Sequence, residues 1–292
     1  MSSKNIRRIL IPVDFSETGT QALEHGAYMA NVFRADINLL HIIDGITTYP
    51  VDFFSDKSQI KDKALIQAKV TERLGEYAEK FTKKYGVYVN TGVTVGNTTR
   101  KITETVKEQN IDIIVMGTHG TRGFEEFFVG SIAHKVVNLS PCPVITVQKQ
   151  SKAPGFSTIV LPIDDTIHSR QKVSNILPIA AKYKSTVHLL GLLNSTDKSE
   201  IAKFNIKLNT AEEAIKKYSL SSVRKIVKGS NLAETAMKYA EEVNADLLAI
   251  MTDHESNMTG MFMGAFAKTI VNHSKIPVLS VKPVTGPYEA MG

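Results

Sequence analysis

Short apolar runs alternate with longer amphipathic stretches along the whole chain. Ile9-Leu10-Ile11, Leu40-His41-Ile42-Ile43 and Ile111-Asp112-Ile113-Ile114 are too short for helices of ordinary length and rich in β-branched residues. Runs of that kind mark strands buried on both faces, and their alternation with amphipathic segments marks βαβ units around a parallel sheet. The pattern predicts strands near 7–13, 36–43, 88–95, 112–117 and 143–148, with helices near 17–34, 60–85, 98–109 and 130–140. Asp14 ends the first strand, and Ser16 or Glu17 suits the start of the helix that follows.

The second half repeats the first. Ile9-Leu10-Ile11-Pro12-Val13-Asp14 aligns with Ile159-Val160-Leu161-Pro162-Ile163-Asp164, Asn110-Ile111-Asp112 with Asn244-Ala245-Asp246, and Pro143-Val144-Ile145-Thr146-Val147 with Pro277-Val278-Leu279-Ser280-Val281. An internal duplication outranks any single motif. It predicts one domain in 1–150 and a second in 151–292, joined near 148–156, where Ser151, Pro154 and Gly155 interrupt the pattern. The second copy's strands are expected near 158–164, 186–193, 223–228, 246–251 and 277–282. The fold class is therefore α/β: two tandem, doubly wound, five-stranded parallel-sheet domains of Rossmann-like build. Ligands of such sheets bind at the carboxyl ends of strands where the strand order reverses, and Asp14, the 117–131 loop and the end of the second strand all reach that edge. The final strands, Val144 to Val147 and Val278 to Val281, are apolar and lie at a sheet edge. They are expected to join the two copies into an intramolecular pseudo-dimer, because bare edges invite pairing.

Composition narrows the picture. The 292 residues are 42% apolar and 22% charged, which is ordinary for a globular chain and excludes a largely disordered one. A net charge of +6 looks basic, yet Lys plus Arg against Asp plus Glu count 18 to 16 in 1–150 and 17 to 13 in 151–292. No basic stripe emerges, so nucleic-acid binding has little support. The single cysteine, Cys142, permits no internal disulfide and no cysteine-based zinc site, and its place between Pro141 and Pro143 reads as a packed side chain. The run Ile9-Leu10-Ile11 is too short for a signal-peptide core, and no apolar run approaches a membrane span, so a cytoplasmic location is expected.

Candidate chemistry concentrates between the fourth strand and the helix after it, in Gly117-x2-Gly120-x9-Gly130-Ser131. Glycines there let backbone approach a ligand, and free N–H groups at a helix start suit an anion. The spacing matches neither G-x4-G-K-[ST] nor G-x-G-x-x-G. It resembles the ATP-binding motif of the universal stress protein family, G-x2-G-x9-G-[ST]. Pro12-Val13-Asp14, Leu40-His41-Ile42-Ile43-Asp44 and Ser140-Pro141-Cys142-Pro143-Val144 agree with that resemblance, which covers the first half with specific motifs and the second more loosely. The resemblance implies a fold of the adenine nucleotide alpha hydrolase-like kind. It also implies that Pro12, Val13 and Asp14 hold adenine and ribose, and that Ile42 touches the base through its backbone. Met116, Gly117, His119, Gly120, Gly130, Ser131 and Ile132 then surround ribose and phosphates. His119 is expected to act as a hydrogen-bond donor there, and His41, inside the second strand, as a hydrogen-bonded structural residue. Glu125 and Glu126 would repel a polyphosphate without a cation between them, so Mg²⁺ would accompany ATP.

The second copy departs from the motif. At an offset of 134, Gly117 becomes Met251, His119 becomes Asp253, Gly120 becomes His254 and Ser131 becomes Ala265, while Gly130 survives as Gly264. This copy is expected to bind no ATP. The function expected is a nucleotide-dependent regulator in a stress response, with unknown protein partners and possible homodimers. Two alternatives are a slow ATPase or related nucleotide hydrolase, and a ligand-free interaction scaffold. The loop offers backbone donors but no recognisable general base, so binding without efficient turnover is expected.

Overall fold

The computed structural model describes residues 5–45, 63–118, 130–152, 154–164, 169, 171–193, 197–229, 231–252 and 263–283. The chain splits into two compact units, one built mainly on Asn5–Gly155 and the other mainly on Phe156–Ile270 with the last strand.

In the first unit the elements run β1 (Arg8–Pro12), α1 (Glu17–Phe33), β2 (Asp36–Ile43), α2 (Lys63–Tyr85), β3 (Val89–Val95), α3 (Thr98–Glu108), β4 (Ile113–Gly117), α4 (Ser131–Leu139) and β5 (Val144–Val147). The strands are parallel in the order β3-β2-β1-β4-β5. Ile9, Leu10 and Ile11 of β1 are fully buried between β2 and β4. Burying each such side chain contributes about 1.5–3 kcal/mol, which is why the apolar run needs no alternation. Helix α1 turns Ala22, Leu23, Gly26, Ala27, Ala30 and Phe33 inward, the three-and-four spacing of an amphipathic helix. It starts at Ser16, whose Oγ accepts from the Gly19 N–H at 3.0 Å, and ends at Arg34 in the left-handed conformation. Helix α2 packs Ile66, Val70, Leu74 and Phe81. Residues 60–62 of the expected second helix lie outside the described residues.

The second unit runs β6 (Thr158–Ile163), α5 (Gln171–Tyr183), β7 (Thr186–Leu193), α6 (Lys198–Lys217), β8 (Ser221–Lys228), α7 (Leu232–Glu242), β9 (Leu247–Met251), α8 (Ala265–His273) and β10 (Val278–Val281). Its strand order, β10-β9-β6-β7-β8, is that of the first unit, and its strands are parallel too. The likeness extends to single residues. Asp112 accepts from the backbone N–H groups of Arg7 and Arg8 at 2.8 and 3.0 Å, and Asp246 accepts from those of Ser157 and Thr158, both at 3.0 Å. Asn97 and Asn231 cap corresponding helices. Arg34 and Lys184 are both left-handed (φ 55° and 53°), as are Asn110 and Asn244 (49° and 50°). The first pair lies 150 residues apart and the second 134, so the second copy is 16 residues shorter between β7 and α7.

Two details of the second unit stand out. Strand β8 begins at Ser221, ahead of the expected 223. Helix α5 runs through Pro178, which has no N–H to give the Ser174 carbonyl one turn earlier. Among the described residues no helix is long and apolar enough to cross a membrane.

Candidate functional site

In the first unit the chain leaves β1 for β2 and β3 on one side, then crosses to β4 on the other. The carboxyl ends of β1 and β4 are therefore the switch point of the sheet. Ile9 lies beside Ile113 and Leu10 beside Ile114. Continuing that register brings Pro12 level with Met116 and Val13 level with Gly117. On the other flank Pro12 pairs with Leu40, so Asp14 falls level with Ile42. Pro12, Val13, Asp14, Ile42, Met116 and Gly117 thus gather at one edge of the sheet. Val13, Ile42 and Met116 are buried, and Asp14 and Gly117 are partly accessible.

The turn from β1 into α1 is tightly held. Asp14 Oδ1 accepts from the Ser16 N–H at 3.1 Å and from the Ser16 hydroxyl at 2.6 Å, while Ser16 caps the helix. Phe15 between them is left-handed, with φ 62°. That conformation costs a non-glycine residue about 1–3 kcal/mol and persists only where surroundings hold it. Here Val13 donates its N–H to the Leu40 carbonyl at 2.9 Å, and the Phe15 ring lies 4.9 Å from His41 and edge-on to Tyr77 at 5.7 Å. His41 is buried and its Nδ1 lies 2.8 Å from the Val13 carbonyl oxygen. A carbonyl only accepts, so Nδ1 carries the proton. Burial holds the His41 pKa below its usual value, against the Val13 hydrogen bond and the nearby carboxylates of Asp14 and Asp44, which favour the charged form. The ring is therefore neutral at pH 7.

On the β4 side, Thr118 is buried, gives its N–H to the Val147 carbonyl at 3.0 Å and accepts the Gly130 N–H at 2.6 Å. One hydrogen bond thus joins the residue before α4 to the residue after β4. Gly130 caps α4 without a side chain, and among the described residues no side chain caps the first-turn N–H groups, which include those of the exposed Ser131 and Ile132. Gly117 packs against the first turn of α1: a β-carbon there would lie 3.0 Å from the carbonyl carbon and Cγ2 of Thr18. A β-carbon on Gly19 would lie 2.8 Å from Asp14 Oδ1. These two glycines allow the α1 turn to sit between Asp14 and the end of β4.

Of the residues singled out from sequence, nine are brought together here, and His119 and Gly120 lie outside the described residues, as do Glu125 and Glu126. Sequence reading missed Phe15, Thr118 and Gly19. The switch of backbone hand at Phe15 has no compositional signal, whereas Gly19, one turn beyond a helix-capping Ser16, was a visible sign of close approach. Among the described residues no group of three or more His, Cys, Asp or Glu is arranged to hold a metal ion.

The second unit keeps the frame of this site and changes its lining. Thr252 is buried and gives its N–H to the Val281 carbonyl at 2.9 Å, as Thr118 does to Val147. Met251, buried, stands where Gly117 would be. Ser169, at the place of Gly19, accepts from the Asp164 N–H at 3.0 Å and from the buried Lys172 ammonium at 3.1 Å.

Two doubly wound units in tandem, with a glycine-bearing crossover at the switch point of the first, define a duplicated α/β protein. The chain belongs to the universal stress protein family, whose model matches residues 5–148 and 155–282. Universal stress protein MJ0577 of Methanocaldococcus jannaschii is 30% identical over 156 residues, covering 50% of this chain and 96% of that protein. Universal stress protein YxiE of Bacillus subtilis is 29% identical over 153 residues, covering 48% and 98%. The crystal structure of a universal stress protein from Archaeoglobus fulgidus superposes with a TM-score of 0.73 at 19% identity, covering 97% of this chain and 99% of that one, a likeness of fold.

Proposed function

We propose that the first copy binds an adenine nucleotide of the ATP kind, with Mg²⁺ on its phosphates, and that occupancy regulates the protein in a stress response. The observation that carries this reading is the closing of Gly130 onto Thr118 at the end of β4, beside Pro12, Val13 and Asp14. Among the described residues the start of that helix has no side-chain cap, and the Asp14 carboxylate at the end of β1 is partly accessible, which suits phosphates at the one and a ribose hydroxyl at the other. Asp14, Ile42, Met116 and Gly117 line the nucleoside end. His119, Gly120, Gly130, Ser131 and Ile132 serve the phosphates. Differential affinity of the nucleotide for two conformations would shift their balance, the only way occupancy can act as a signal. Hydrolysis is expected to be slow at most, because the sequence of the loop offers backbone donors and no recognisable general base.

Denaturing freshly purified protein should release an adenine nucleotide at about one per chain, identified by chromatography, because only the first copy keeps Gly117 and Gly120. Release of no nucleotide, from protein that also binds none in titration, would overturn the reading. Two per chain would assign a site to the second copy as well.

We further propose that residues 1–150 and 151–292 are two domains that associate as an intramolecular pseudo-dimer. The apolar strands β5 and β10, each the last strand of its unit along the chain and at one end of that unit's strand order, support this reading. The two halves, expressed separately and mixed, should associate in analytical ultracentrifugation. Halves that stay apart at high concentration would count against it.

A further inference from the structure

His41 is a buried titratable side chain to which the nucleotide reading gives no task. Its Nδ1–H donates to the Val13 carbonyl at 2.8 Å, and its ring lies 4.9 Å from that of Phe15, tilted by 33°. Phe15 in turn meets Tyr77 of α2 edge-on. One imidazole therefore touches both residues that flank Asp14, Val13 before it and Phe15 after it. Asp14 Oδ1 accepts from the N–H and the hydroxyl of Ser16 at the start of the next helix.

The duplication supplies an internal control. Val13 and His41 are level across β1 and β2, one step beyond the Pro12 and Leu40 pair, and their counterparts 150 residues on are Ile163 and Gly191, which pair directly. A β-carbon on Gly191 would meet Leu208 at 2.9 Å, Phe204 at 3.1 Å and Ile226 at 3.2 Å, so apolar side chains of α6 and β8 fill that space. The second unit builds the same sheet with the same strand order and no histidine there. The fold does not require the clamp. It is kept in the copy that keeps Gly117 and Gly120 and absent from the copy that has Met251 and His254 in their places.

We propose that His41 is a positioning residue: its Nδ1–H fixes the Val13 carbonyl and its ring backs Phe15, and together they hold the turn that presents Asp14 to a bound nucleotide. The consequence for binding rests on the nucleotide reading above, whereas the consequence for the turn does not. A side chain at 41 must then supply a donor near the Nδ1 position. The Nδ2 of an asparagine lies close to that place, and a phenylalanine has the ring without the donor.

Two measurements on the full chain test this, after circular dichroism confirms that each variant is folded. In the protein without added ligand, hydrogen–deuterium exchange over residues 13–19 should quicken about tenfold or more in His41→Phe and stay within about threefold of the parent in His41→Asn. Calorimetric titration with ATP should follow the same order, with affinity about tenfold or more weaker in His41→Phe and nearly kept in His41→Asn. If His41→Phe fails to fold, His41→Leu serves as the variant without a donor. Equal behaviour of the asparagine variant and the donor-less variant, in exchange and in affinity, would overturn the proposal. So would a donor-less variant indistinguishable from the parent. Should the parent bind no ATP, the nucleotide reading fails and the exchange contrast still decides the role of His41.

Discussion

Gly117→Met, which installs the second copy's residue at the end of β4, should weaken ATP binding by about tenfold to a hundredfold or more and destabilise the first unit by about 1–3 kcal/mol. The cause lies in the first turn of α1. A β-carbon at 117 would lie 3.0 Å from the Thr18 carbonyl carbon, 3.0 Å from its Cγ2 and 3.1 Å from its carbonyl oxygen. Two of these are backbone atoms and cannot swing aside as a side-chain tip could. The turn must move away from β4, carrying Ser16 and, through the Ser16 hydrogen bonds, Asp14. Losing one or two hydrogen bonds with a charged partner, each worth about 1.5–3 kcal/mol, gives the expected weakening. Titration calorimetry of the parent, Gly117→Ala and Gly117→Met measures the affinity, and urea unfolding measures the stability. The alanine variant should already show part of both losses, since it adds the offending atom alone. An affinity unchanged in Gly117→Met would show that the nucleotide does not depend on the edge where β1 and β4 end.

Much of the fold was legible because the sheet is parallel and covered on both faces. A strand such as β1 has no wet face, so Ile9-Leu10-Ile11 stands out as an unbroken apolar run. The duplication doubled that signal, and each strand expected in one copy had a counterpart in the other. Strand β8 was harder. It lies at the outer end of its unit's sheet, its exposed and half-buried positions alternate weakly, and its first residues are Ser221 and Ser222, which look like turn chemistry.

The candidate site divides in the same way. Gly117, Gly130 and Asp14 announce themselves by residue type and by their place at strand ends. What joins them is invisible in sequence, because it depends on register. The Thr118 carbonyl meets the Gly130 N–H only once both are in place, across a stretch of chain with no periodicity of its own. His41 shows both sides of this. Its place inside an apolar strand foretells a hydrogen-bonded structural histidine, and the bond to Val13 is there. The partner follows from the level at which β1 and β2 pair, and the left-handed turn at Phe15 that rests on the ring follows from nothing in the composition.

Phe81→Ala should bring the largest loss of stability, about 3–5 kcal/mol, since it removes a fully buried aromatic ring. Phe81 is among the largest side chains with no meaningful exposure, on the inner face of α2. Its ring stacks on Tyr85 at 6.1 Å and lies 6.4 Å from Tyr77, so one residue ties together the last three turns of the helix. Tyr77 continues the chain of rings to Phe15 and His41, and loosening α2 should therefore be felt at the turn that carries Asp14. For an unfolding slope of about 2 kcal/mol per molar urea, the midpoint of the first unit should fall by about 1.5–2.5 M. The chain has no tryptophan, so circular dichroism and tyrosine fluorescence follow the transition. Phe81→Leu keeps most of the apolar volume and should cost markedly less. If the two units unfold separately, only the transition of the first should shift, and a second transition that moves by the same amount would show the units to be one cooperative body. A midpoint shift under about 0.5 M would mean that the α2 ring cluster contributes little to holding the first unit together.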